Sequence, residues 1–174
     1  MGYVKWSYDT LNTFCHDVFR KFGFNEEQTN IIKDVLLTAD LYGIESHGMQ
    51  RMVRYDKGIE KGTIHPDAKP EVVFETPVSA VIDGHDGMGQ LISHFAMEKA
   101  IEKAKKTGVG FVSVRNSNHF GIAGYYANRP AMQDFLEWHV PTPRRSWYRP
   151  SEEGYAGFQP DRGSDACRTL SFPF

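Results

Sequence analysis

Cysteine is scarce in this 174-residue chain, where Cys15 and Cys167 are the only two. Two thiols cannot build a disulfide framework, and so few fit a reducing, cytoplasmic setting. No run of 18 or more apolar residues occurs, so no membrane-spanning helix is expected. The opening MGYVKWSYDTL has no apolar stretch of the secretory kind. Neither sign of charge dominates, since 20 basic and 22 acidic side chains leave a net charge of −2. That balance gives no reason to expect nucleic acid or an anionic membrane as partner. The HExxH and CxxC spacings are missing and the seven histidines are scattered, so no metal is expected. A further scarcity is local. No lysine follows Lys106 and no isoleucine follows Ile122, while six of the nine prolines lie beyond residue 128. Such a shift marks a domain boundary, a linker or an abnormal end.

What is present is 40% hydrophobic and 13% aromatic residues, enough for a folded core. Leu11, Phe14, Cys15, Val18, Phe19 and Phe22 recur at helical spacing, predicting a helix over 8–22 that Gly23 ends. Asn25 with Gln28 forms a capping-box pattern for a second helix. Its stripe is Ile31, Ile32, Val35, Leu36 and Ala39, and Gly43 closes it. A third helix is expected over 48–60. Pro66 and Pro70 mark a connector. The period then changes. Residues 72–75 and 78–82 read as strands, and Asp83-Gly84 and Asp86-Gly87 as turns. Residues 90–106 read as a helix with Leu91, Phe95, Ala96, Ala100 and Ile101 inward. A buried strand over 110–114 and a helix opening over 121–127 follow. Strands alternating with helices after a helical start predict an α+β chain.

Three clusters invite chemistry. His47, Arg51 and Tyr55 are spaced by four, so one helical face would present all three beside Ser46. An imidazole, a guanidinium and a phenol suit a small hydroxy acid, since arginine clamps carboxylates in a bidentate fashion. A capped surface helix with a structural histidine fits the same residues. The run Arg115-Asn116-Ser117-Asn118-His119-Phe120-Gly121 follows a buried strand, where α/β proteins place their sites. His119 titrates nearest neutrality and suits a general acid or base, although an ordinary Asn/Ser turn is equally consistent. The loop from Asp83 to Gln90 carries three glycines before a helix. They would let backbone approach a ligand, or simply form turns, and their spacing is not GxGxxG.

The motifs ADLYGIESHGMQRMVRY (39–55), IDGHDGMGQ (82–90) and VRNSNHFGIAGYYA (114–127) stand in order. Together they resemble the malate/L-lactate dehydrogenase family, which includes ureidoglycolate and sulfolactate dehydrogenases and has no Rossmann domain. The resemblance spans about residues 5–128. It implies an oxidoreductase that moves hydride between a small 2-hydroxy acid and NAD or NADP, as a homodimer or larger assembly. A helical N-terminal domain (1–70) would precede part of an α/β cofactor domain (71–128). It places catalytic roles on His119 and His47, and substrate contacts on Ser46, Arg51 and Tyr55. Asn118 and Gly121 would touch the cofactor.

Residues 129–174 depart from the family's continuation, a strand, a TNT-like turn and a G-[ST]-N-P segment. A permitted back-translation of 155–174, read one base later, gives M-L-G-S-N-P-I-A-V-A-M-P. The expectation is therefore an aberrant, frame-shifted tail with little periodicity beyond 132–138, poor packing over 139–174, open strand edges and an inactive chain. A non-catalytic remnant that acts only by assembling with a full-length paralogue is the alternative.

Overall fold

A serine and an asparagine start the first two helices of the computed structural model, which describes residues 5–131, 135–142 and 166–173. Helix α1 runs Tyr8–Lys21, and the Ser7 side chain accepts the Thr10 N–H. Helix α2 runs Glu26–Leu41 with both halves of the Asn25–Gln28 capping box formed. The α1 face packs largely as its spacing predicts, with Cys15 and Phe19 sealed and Leu11, Val18 and Phe22 against them. Phe14 is the exception, at 55% exposure. At 100° per residue it lies about 40° beyond the edge of the buried arc.

The expected third helix forms over nearly its whole range, with a 3-10 first turn. Short 3-10 turns occupy Glu45–His47 and Met49–Arg51, and helix α3 proper is Met52–Glu60. Gly48 interrupts the run at φ −88°, ψ −148°. Its backbone lies against Asp40, whose Oδ1 would be 1.8 Å from an added Cβ. Asp40 Oδ2 accepts the Met49 N–H at 2.9 Å and so caps the restart.

The sheet has the order β1-β2-β3-β5-β4. Strands β1 (Glu71–Glu75) and β2 (Ser79–Gly87) pair antiparallel. Helix α4 (Gly89–Thr107) then crosses over so that β3 (Gly110–Ser117) runs parallel to β2. The Asp-Gly pairs at 83–84 and 86–87 do not turn the chain, contrary to expectation. The β2–β3 ladder continues through Asp83↔Arg115 to Gly87↔Ser117, with a register shift between. The shift is taken up at His85 (φ 49°), Asp86 (φ 54°) and, on β3, Asn116 (φ 51°). Left-handed backbone is least costly for Asn and Asp, whose short polar side chains bond locally.

Helix α5 covers Ala123–Ala131. Two strands follow, β4 (Phe135–Thr142) and β5 (Ala166–Pro173), paired antiparallel, with β5 also antiparallel to β3. This corrects two expectations. Periodic structure does extend beyond 132–138, and the edge of β3 is covered. A strand edge bonds through backbone groups that any extended segment supplies, whatever its side chains. What was expected of 132–134, 143–165 and 174 lies outside the described residues.

Helix α4 sits centrally. Ile92, Ala96 and Ala100 pack on Ile82, Val112 and Val114 of the sheet. Met97, Ile101 and Ala104 pack on Val35 of α2, with Phe120 and Tyr126. Its buried arc is therefore wider than the single stripe expected. Ser93 and Lys103 are also buried, and Lys103 Nζ donates to Glu75 Oε1 (2.8 Å) and the Thr76 carbonyl (2.7 Å).

Candidate active site

His119 follows β3 at the strand's C-terminal end and is 5% exposed. Its Nδ1 lies 2.8 Å from the Tyr55 hydroxyl of α3. The His47 ring is tilted beside it, with centroids 5.3 Å apart. Ser46 Oγ bonds His47 Nδ1 at 2.9 Å, and Arg51 Nε donates to the Ser46 carbonyl. Ser46, His47, Arg51, Tyr55 and His119 thus converge, as the motifs suggest. The route differs from that expected. His47 precedes the Gly48 break, so it does not share a helical face with Arg51 and Tyr55. The turn around Gly48, tied to Asp40, brings it back.

The surroundings keep His119 neutral. Burial, then the nearby Arg51 and Arg54 charges and His47, push His119 from its ordinary 6.5 down to about 3. Its Nε2 is buried with no hydrogen-bond partner among the described residues. A buried ring nitrogen without a partner is costly unless something else meets it, and a substrate oxygen would.

Asn118 and Gly121, the expected cofactor contacts, are placed otherwise. Asn118 Nδ2 donates to the carbonyls of Thr63 (3.1 Å), Asp86 (2.8 Å) and Gly87 (3.1 Å), latching β2 and the α3–β1 connector to the end of β3. Gly121, at φ 92°, faces Val35, whose Cγ1 would lie 2.4 Å from a Cβ there. On the other side of the sheet end, Asp83 accepts from Arg115 Nε (2.8 Å), Asn116 Nδ2 (3.0 Å) and the His85 N–H (3.0 Å). Burial opposes its charge, but these donors and the His85 ring hold the carboxyl below its usual range. Among the described residues no three His, Cys, Asp or Glu side chains converge as a metal site would require.

Gln90 is the residue the motifs quote without a role. It is fully buried, and its Nε2 donates to the Tyr55 hydroxyl at 2.8 Å. The available signal was a glutamine next to a glycine at a helix start. Gly89 explains the approach, since a Cβ there would lie 2.3 Å from the Asn118 carbonyl oxygen and 2.4 Å from that of His119.

Known proteins with these features are recognisable. Residues 6–147 match the family described as Malate/L-lactate dehydrogenase, extending past the limit of 128 set by the motifs. The chain is 50% identical over 135 residues to a malate dehydrogenase of Pyrococcus abyssi, covering 78% of this chain and 37% of that protein. It is 48% identical over 120 residues to an L-sulfolactate dehydrogenase of Methanocaldococcus jannaschii, covering 69% and 35%. The solved malate dehydrogenase of Pyrococcus horikoshii superposes with a TM-score of 0.77 at 42% identity, covering 81% of this chain and 42% of that one. The chain thus spans little more than a third of the length of the curated relatives it matches. With the three motifs, the converged histidines and this match in sequence and fold, the chain belongs to the malate/L-lactate dehydrogenase family.

Proposed function

We propose that residues 5–131 carry the substrate-binding and proton-handling side of a dehydrogenase that interconverts a small 2-hydroxy acid and its 2-oxo acid. One observation carries this reading: a buried, neutral His119 whose Nδ1 meets Tyr55 and whose Nε2 has no partner among the described residues. An imidazole so placed exchanges a proton with the substrate's C2 oxygen. Arg51, beside the His47–His119 pair, suits the substrate carboxylate, and holding it fixes the orientation of C2. Ser46 orients His47 through their 2.9 Å hydrogen bond. When bound, NAD or NADP would supply or accept the hydride at C2. One relative, the ureidoglycolate dehydrogenase of Escherichia coli, carries NAD(+) in its name. In keeping with a chain that spans little more than a third of its relatives' length, the 174-residue polypeptide alone is expected to bind a 2-hydroxy acid without turning it over. The segments 1–70 and 71–128 are read as the helical and cofactor-side parts; the tail expected to be aberrant from 129 begins inside the family match, so only 148–174 is read as foreign to the family's working chain. The whole enzyme is read as cytoplasmic and homodimeric.

Isothermal titration of the purified chain with L-malate and sulfolactate, beside NAD and NADP turnover assays, tests this. Saturable acid binding is expected, weakened at least tenfold by Arg51→Ala, with no turnover. Absence of binding by either acid sinks the site reading. Turnover by the wild-type chain sinks the claim that this polypeptide is inactive.

A further inference from the structure

Gln90 has no part in the reading above, yet it is sealed in the core within hydrogen-bonding range of the site. A buried amide is costly unless both its ends are met. Here Nε2 donates to Tyr55 Oη at 2.8 Å, while Oε1 and His119 Nε2 are both buried without partners among the described residues. Its place is held from two sides. The Gly89 backbone presses on the Asn118 and His119 carbonyls, where a Cβ could not fit. The first turn of α4 then carries Gln90 to the phenol, and the phenol to His119 Nδ1 at 2.8 Å.

Hydrogen-bond polarity along this row has a consequence. An amide N–H only donates. With Gln90 donating to the phenol oxygen, the phenol's own hydrogen is directed to His119 Nδ1. A neutral imidazole that accepts at Nδ1 carries its hydrogen on Nε2. The geometry points to Gln90 as a positioning residue that sets the tautomer of His119 through Tyr55, holding the neutral ring as Nε2–H. The site at rest therefore presents a donor, suited to the carbonyl oxygen of a 2-oxo acid. Turning the amide over reverses the row: Oε1 accepts from the phenol, the phenol accepts from Nδ1–H, and Nε2 offers a lone pair suited to a hydroxyl. The tautomer follows from the way the Gln90 amide faces, here with Nε2 toward the phenol. Only its use in recognising the two acids rests on the proposed function.

Nitrogen-15 NMR of histidine-labelled chain at pH 7 tests it, with the His119 signals assigned by their loss in His119→Gln. The wild-type ring is expected as Nε2–H. Gln90→Leu, close in size and apolar, frees the phenol hydrogen and is expected to raise the Nδ1–H share at least threefold. Tyr55→Phe should do likewise, and adding Gln90→Leu to Tyr55→Phe should then change nothing further. A wild-type ring found as Nδ1–H overturns the proposal whatever the variants do. So does an unchanged tautomer in a Gln90→Leu chain whose amide spectrum remains native. Failure of acid binding leaves these spectra untouched, so the two readings fail separately.

Discussion

A histidine kept from water while meeting a phenol stays uncharged over the physiological range. At the residue scale this has a cost in stability with a definite sign. The His119 pKa is near 3 in the fold and near 6.5 in the ordinary state. As pH falls below about 6.5 the unfolded chain takes up a proton that the folded chain refuses. The stability present above pH 6.5 is therefore lost progressively toward pH 3, by at most about 1.4 kcal/mol per pH unit from this one group. Urea unfolding at pH 7 and pH 5 should show the loss in the wild type and a smaller one in His119→Gln. An equal loss in both would place the acid sensitivity elsewhere. His119, Tyr55 and Ser46–His47 were legible because their residue types match the chemistry and their motifs are specific. Gln90 was not, because a lone glutamine has no distinctive chemistry until its neighbours are known. The duties of Asn118 were also hidden, since its three carbonyl acceptors come from distant parts of the chain.

At the scale of elements, local signals held wherever local bonds decide. Asn25 and Gln28 exchange bonds at 2.9 Å each way, three residues apart, needing nothing from the rest of the fold. Asn25→Ala should cost about 1 kcal/mol, read as a lower urea midpoint at unchanged slope. A neutral result would mean that tertiary packing, and not the cap, sets the start of α2. Elements were misread where a distant partner overrides the local preference. The Asp-Gly pairs of β2 would turn a free peptide, but β3 extends the ladder past them. The helix expected over 48–60 starts where Asp40, on α2, accepts the Met49 N–H. The turn at Gly48 before it leaves His47 off that helix, beside His119.

At the scale of the whole molecule, α4 joins what the sequence divides at residue 70. Its sheet-facing residues and its α2-facing residues belong to separate clusters on neighbouring faces of one helix, about 100° apart. Met97 is buried in the cluster shared with Val35, Phe120 and Tyr126. Met97→Ala should cost about 2–5 kcal/mol and speed amide exchange in α2 and α4 together. Faster exchange in α4 alone would show that the helical layer holds by itself.

Periodicity, caps and residue chemistry carried within short windows were enough for the helical start, the α/β continuation, the family and the candidate side chains of the site. Which atoms of those side chains remain available came from the packed fold. The sealing of His119 Nε2, the diversion of Asn118 to backbone carbonyls and the row from Gln90 to His119 all depend on residues far apart in the chain. Burial and hydrogen-bond polarity are properties of such meetings, and no single stretch of sequence contains them.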